Sequence, residues 1–243
     1  MLGTLDLFLS TVDGARVCGA LQKLAIHDFH GFALTGSLAL ETQLVGQGHG
    51  PAMRALNDMD LVVDSFGSIP GSLADTFLFR HIHPKAPEGK TLLQMIDPEA
   101  ALRIDLFRAR GATMARGRSV SLATFPIEVV SLEDLAARAA RLVMDLERGE
   151  EVPLKHAKDF QRLAGAIDLD RVEIAWRDHR RSGDPATFQE ASQRIRELVA
   201  TRGELLVVPE YSQDVNAVCP KCEEAGPFRL ASGVTIQSIL GYC

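Results

Sequence analysis

The sequence is short of the residues that build several common protein classes. Only 6% of its 243 residues are aromatic, with one Trp and two Tyr, so recognition of single strands by base stacking is not signalled. No uncharged apolar run approaches the ~20 residues that a membrane helix needs. The apolar stretch Leu2–Leu9 is interrupted by Asp6 and follows no basic residue. It is a poor signal peptide, and a cytoplasmic protein without membrane attachment is expected. Basic residues are outnumbered, 26 Lys and Arg against 32 Asp and Glu, for a net charge of −6. That excludes a wholly basic nucleic-acid binder but not a local basic patch. There is no excess of Pro or Gly, no repeat and no low-complexity tract, so the chain is not of the disordered class. Cysteine is scarce as well: of Cys18, Cys219, Cys222 and Cys243, three lie in the last 25 residues. That skew suits a local tail feature, not a disulfide scaffold.

At 46% hydrophobic, the chain can bury one large core or two small ones. Residues 14–30 carry Val17, Leu21, Leu24 and Ala25 at helical spacing. Phe32–Thr35 then reads as a short strand, Gly36-Ser37 as a turn, Leu38–Leu44 as a helix and Gly46–Pro51 as a polar loop. Asp58–Asp64 alternates and then runs apolar, as a buried strand does. Further strands are expected over Thr76–His83, Thr91–Ile96, Leu102–Phe107 and Pro126–Val130. From Ser131, an N-cap followed by Glu133 and Asp134, the pattern turns helical: 131–148, 154–167, 170–181 and 186–202. The expected plan is α/β, of the α+β kind: a mixed-sheet domain over 1–130, a helical domain over 131–204, and a cysteine-bearing tail over 205–243.

The chemistry concentrates in carboxylates. Asp58 and Asp60 are two apart on a strand and therefore face the same way. Like charges this close repel unless a cation lies between them. Asp105 stands mid-strand in Arg103-Ile104-Asp105-Leu106-Phe107, where an unpaired charge is expensive. Three oxygen ligands from neighbouring strands suit Mg²⁺, and a two-ion site of this kind activates a hydroxyl and neutralises a leaving phosphate. Upstream, Gly36 permits a tight turn, Ser37 offers a hydroxyl, and the following helix presents free N–H groups to phosphate. Taken singly, Asp-x-Asp is common and Ser is an ordinary N-cap.

In combination, the strand, the Gly-Ser turn, the helix, Asp-x-Asp on a strand and a third Asp on a later strand resemble the polymerase-β-type nucleotidyltransferase superfamily over roughly residues 30–130. The resemblance implies that Gly36 and Ser37 hold the triphosphate of an NTP and that Asp58, Asp60 and Asp105 hold two Mg²⁺ ions. A narrower likeness lies in Ser131-Leu132-Glu133-Asp134-Leu135 and Lys155-His156-Ala157-Lys158-Asp159-Phe160, which resemble AbiEii-type toxin nucleotidyltransferases. By that likeness Lys155 contacts the triphosphate and Asp159 fixes the lysine, with Lys158 as the alternative. At i, i+4 the pair shares a helix face, as an ordinary surface ion pair also would. The 20-residue gap between Ser37 and Asp58 is longer than in minimal members of the superfamily.

Arg103, Arg108, Arg110, Arg116 and Arg118 gather in sequence around Asp105, and Arg177, Arg180 and Arg181 form a second group. Both suit NTP phosphates or an RNA backbone, or a solvated surface balancing nearby acids. Cys219-Pro220-Lys221-Cys222 with Cys243 resembles part of a zinc ribbon, one ligand short of a closed site. Cys18, His156, His179, a terminal carboxylate or another subunit are candidates for the fourth. His81 and His83 alternate on a strand with no third ligand near them in the sequence. No Gly-x-Ser-x-Gly elbow is present, so a serine-hydrolase triad is discarded.

The expected activity is Mg²⁺-dependent transfer of NMP from an NTP to an acceptor hydroxyl, with release of pyrophosphate. The acceptor is tRNA or a partner protein in a toxin–antitoxin setting with a cognate antitoxin, or a small antibiotic-type molecule. Rival classes are a non-catalytic NTP-binding regulator and a zinc-dependent nucleic-acid binder.

Overall fold

A computed structural model describes residues 3–52, 56–82, 92–123 and 125–208. They form two units, one of residues 3–109 with 118–129 and the other of 110–117 with 130–208. The cysteine tail with Cys219, Cys222 and Cys243 lies outside the described residues, as does His83.

The first unit opens with helix α1 (Thr11–Ile26), started by Ser10, whose hydroxyl accepts from the backbone N–H of Asp13 at 3.1 Å. That cap sets the helix three residues earlier than its apolar spacing alone suggests. Strand β1 (Phe32–Thr35) is buried throughout and runs into α2 (Gly36–Gly46), which packs on β1 and β2 (Asp58–Val63). Two of the polar side chains buried in α2 find hydrogen bonds nearby. Thr42 donates to the Leu38 carbonyl at 2.8 Å, and Glu41 accepts from the Ala52 N–H at 3.0 Å. After β2 come β3 (Leu78–Ile82), β4 (Leu92–Asp97), β5 (Leu102–Arg108), β6 (Arg118–Leu122) and β7 (Phe125–Val129).

Together they make one mixed seven-stranded sheet in the order β3-β4-β5-β2-β1-β7-β6. The pairs β2–β5 and β1–β7 are parallel and the others antiparallel. The α/β class and the mixed sheet agree with the pattern of the sequence. Strand β6 is an addition to that pattern, and the reason is physical. It is an edge strand paired only with β7 and mostly exposed, so it carries no alternating apolar signal.

The core explains why β2 and β5 lie where they do. Met59, Leu61, Ile104 and Leu106 have no exposed surface, and burying each side chain contributes about 1.5–3 kcal/mol. Because side chains alternate along a strand, this pins the residues between them to the other face. Those residues are Asp58, Asp60, Arg103 and Asp105.

The second unit is helical. It holds α3 (Leu132–Val143), the short strand β8 (Val152–Pro153), α4 (Leu154–Leu163), α5 (Leu169–His179), α6 (Phe188–Thr201) and β9 (Leu206–Val207), which pairs in parallel with β8. Ser131 caps α3 by accepting from the Asp134 N–H at 3.0 Å. The helical span expected over 131–148 tightens after Val143 into a 3₁₀ turn, Met144–Arg148, which ends at Gly149 in the left-handed conformation. Trp176 is fully buried against Phe188 and donates from Nε1 to the Pro185 carbonyl at 3.0 Å. Among the described residues no helix is long and apolar enough to cross a membrane.

Candidate functional site

Register builds the site of the first unit. Asp60 lies opposite Thr35 on β1 and opposite Asp105 on β5, and Asp105 lies opposite Gln94 on β4. Thr35, Asp60, Asp105 and Gln94 thus form one polar rung across four strands. One rung away, Asp58 lies opposite Arg103. The strand pairing brings the three aspartates of the sequence motif onto one patch of the sheet.

Gly36 closes that patch from the β1–α2 side. Its φ is +67°, a left-handed conformation that suits glycine. A Cβ at this position would lie 1.9 Å from Asp60 Oδ2 and 2.9 Å from Asp60 Cβ. The glycine is therefore required twice, by its own backbone and by the carboxylate pressed against it. Ser37 follows, half-buried, and no side chain caps the first turn of α2. That helix end directs its N–H groups and dipole toward anions.

Arg103 is the resident cation. Its guanidinium is ion-paired with Asp58, and its Nε stands 3.3 Å from Asp105 Oδ1 without hydrogen-bond alignment. Arg103 Nε and Asp105 Oδ1 are both buried and lack a hydrogen-bond partner. Asp105 is only 7% exposed. Burial raises its pKa first and most. Arg103 and a hydrogen bond from Gln94 oppose the rise, while Asp60 and Asp58 add to it, and the carboxyl is pushed up to about 7. One arginine does not balance three carboxylates in this surrounding.

Among the described residues no group of three His, Cys, Asp or Glu side chains forms a ready-made metal cage. The donor set nonetheless fits a hard divalent cation. It consists of carboxylate oxygens, one of them buried without a hydrogen-bond partner, in a cluster with excess negative charge.

Lys155 and Asp159 stand on α4 of the second unit, one turn apart, with Lys155 half-buried and Asp159 buried, whereas Lys158 is exposed. The arginines divide. Arg116, expected in the basic patch around Asp105, belongs to the helical unit and is fully engaged there. It donates to both oxygens of Asp134 at 2.7 and 2.9 Å and pairs with Asp178 at 2.8 Å. The cause is local: Asp134 is buried and needs a cation. His179, one candidate for the fourth zinc ligand, has Nε2 3.0 Å from the same carboxylate. Cys18 is a free, half-buried thiol on α1. Arg108, Arg118, Arg177 and Arg180 are exposed, as charges on a solvated surface are. Gln94 joins the site without any sign in the sequence. A strand glutamine gives no signal until register sets it beside Asp105.

No family model matches the chain, and no curated protein matches it. Among solved structures it is similar to the antibiotic-resistance factor ANT(2'')-Ia, at 12% identity over 78% of this chain and 95% of that one, with a TM-score of 0.48. It is also similar to an antigenic nucleotidyltransferase-like protein from Paracoccidioides brasiliensis, at 14% identity over 81% of this chain and 92% of that one, with a TM-score of 0.44. A third is JHP933 from Helicobacter pylori, at 12% identity over 79% and 89%, with a TM-score of 0.33. Likeness this distant leaves the function to be argued from the residues themselves.

Proposed function

We propose that the protein is a nucleotidyltransferase that moves NMP from an NTP to an acceptor hydroxyl. The observation that carries this reading is the set of Asp58, Asp60 and Asp105 in register on parallel strands, beside a glycine that Asp60 itself prevents from being any other residue. A stable sheet has no use for three carboxylates on one patch at this cost.

Asp58, Asp60 and Asp105 are the residues to hold two Mg²⁺ ions, which when bound would neutralise the phosphates and acidify the attacking hydroxyl. Gly36 and Ser37 offer the backbone N–H groups and the hydroxyl of an uncapped helix end to the β- and γ-phosphates. The resemblance to AbiEii-type enzymes alone adds Lys155, with Asp159 one turn away on α4, as a phosphate-contacting residue. Asp105 Oδ1 is the natural acceptor of the hydroxyl's proton. Without metal, burial and the neighbouring carboxylates push its carboxyl up to about 7; a bound cation would favour the charged form that accepts the proton. Positioning and charge do the rest, as phosphoryl chemistry allows. The acceptor in this proposal is tRNA or a partner protein, in a toxin–antitoxin pair. A small-molecule acceptor is the alternative within the class. Cys219, Cys222 and Cys243 remain candidates for a structural zinc.

Arg103 on Asp58 favours a second reading, in which the cluster is self-neutralised and the protein binds NTP without turnover. One experiment separates the two. Purified protein is incubated with each labelled NTP, Mg²⁺ and separate pools of tRNA, cell protein and small acceptors. Transfer of label with pyrophosphate release, abolished in Asp60→Asn while the fold is retained, supports the transferase. NTP binding without label transfer to any pool supports the regulator. Transfer at the normal rate by Asp60→Asn removes the site assignment.

A further inference from the structure

Arg116 and Arg103 hold their carboxylates in different ways. Arg116 meets Asp134 with a matched fork: Nε and Nη2 donate to its two oxygens at 2.9 and 2.7 Å. The Asp134 side chain is 1% exposed and that of Arg116 18%, so the pair is closed. Arg103 on β5 is not matched in this way. Its Nη2 donates to Asp58, which lies opposite it on β2. Its Nε stands 3.3 Å from Asp105 Oδ1 without the alignment of a hydrogen bond, and both atoms are buried without a hydrogen-bond partner. The guanidinium thus spans two carboxylates and satisfies one. The Arg103 side chain is 37% exposed, twice as much as that of Arg116, so part of it already reaches solvent.

A half-matched buried pair is a poor device for stability. Nε and Oδ1 each forgo the hydrogen bond that water would give them. Without the guanidinium, however, three carboxylates would crowd one patch of the sheet with no charge between them. The arrangement suits a counter-ion that is held loosely and can be exchanged. The oxygens it touches, on Asp58 and Asp105, are hard donors of the kind that divalent cations take.

We propose that Arg103 is a displaceable counter-ion: its guanidinium competes with a divalent cation for the oxygens of Asp58 and Asp105, and turns out toward solvent when the cation takes them. This rests on the proposed reading of Asp58, Asp60 and Asp105 as cation ligands, but not on turnover. The ion pair with Asp58 must break before a cation gains both carboxylates, so Arg103 lowers the affinity of the site for a cation alone by the strength of that contact. It keeps the carboxylates in place meanwhile by sparing them their mutual repulsion.

The test uses the whole chain without nucleotide. Calorimetry measures Mg²⁺ binding to the wild type and to Arg103→Gln. Nuclear magnetic resonance follows the arginine Nε–H signals, that of Arg103 being the one absent from Arg103→Gln. The variant binds Mg²⁺ at least tenfold more tightly than the wild type, and binding by the variant alone is the limiting case of the same result. In the wild type, saturating Mg²⁺ shifts the Arg103 Nε–H signal and speeds its exchange with water, because a buried donor has been turned out. A positive charge that merely lay nearby would also weaken cation binding but would leave that signal unmoved, so an unmoved signal at saturation overturns the proposal. Equal or weaker binding by Arg103→Gln, with its fold retained by circular dichroism, overturns it as well. If the variant does not fold, the signal is assigned by sequential resonance assignment of the wild type and decides alone. Failure of both chains to bind Mg²⁺ overturns the cation reading of the carboxylates and this inference with it. Binding with an unmoved Nε–H signal removes this inference and leaves that reading standing.

Discussion

Replacing Asp105 with Asn removes a buried carboxyl and keeps its shape, so it isolates the cost of the charge. In the folded chain this carboxyl titrates near 7 and in the unfolded chain near 3.8, because burial and the charges of Asp60 and Asp58 outweigh Arg103 and Gln94. A folded pKa above the unfolded one means that the stabilising state is the protonated one. Its contribution is complete below pH ~4 and is lost as pH rises toward 7, where the unfolded chain has released a proton that the folded chain still holds. The two values lie roughly three pH units apart, and at about 1.4 kcal/mol for each the difference is on the order of 4 kcal/mol. In EDTA, Asp105→Asn is therefore more stable than the wild type by up to that amount at pH 8, and the gap closes toward pH 4. Urea unfolding followed by circular dichroism at each pH from 4 to 8 reads this as a midpoint difference that grows with pH. Adding millimolar Mg²⁺ at pH 8 narrows the gap, since ligand binding stabilises only the chain that keeps the carboxylate. A variant no more stable than the wild type at pH 8, or a gap equal at pH 4 and pH 8, refutes the reasoning.

Two further changes test the frame around the site. Gly36→Ala forces an L side chain into a left-handed φ, at about 1–2 kcal/mol, and pushes a methyl into Asp60. Calorimetric Mg²⁺ affinity and nucleotide transfer should fall by more than thermal stability does, and unchanged values would show that the close approach has no role. Arg116→Gln strands Asp134, whose carboxyl burial would raise but which hydrogen bonds from Arg116, His179 and Ser131 hold well below the usual carboxylate range. The loss at pH 7 should be about 3–5 kcal/mol. It should shrink as pH falls below about 4, because a depressed folded pKa contributes above the unfolded value and is lost on acidification. Urea midpoints at pH 7 and pH 3 check both statements.

Where local physics decides, the sequence is legible. Ser131 announces α3 by capping chemistry, and the alternation around Asp58 announces β2, because a strand must place its apolar residues on one face. Spacing alone nominates the three aspartates. It does not bring them together, since the Asp60–Asp105 rung depends on β2 and β5 pairing in parallel with one register out of many. Gln94 and the engagement of Arg103 are consequences of that register. Arg116 misleads because the chain passes into the helical unit at Arg110, where Asp134 and Asp178 take up its guanidinium. The edge strand β6 carries no signal that burial could have written.

The net charge of −6 conceals the most informative property of the chain, which is that charge is matched in some places and withheld in others. Around Asp134 two carboxylates meet an arginine and a histidine, and the group is closed. On the sheet, three carboxylates share Arg103. Arg116 shows that this protein can balance a buried charge, so the imbalance on the sheet is not a failure of folding. It lowers stability and is preorganised toward a charge of opposite sign, a cation. In the proposed reaction a nucleotide with its metal supplies that charge, and the net charge of the chain is therefore a poor guide to its affinity for phosphate.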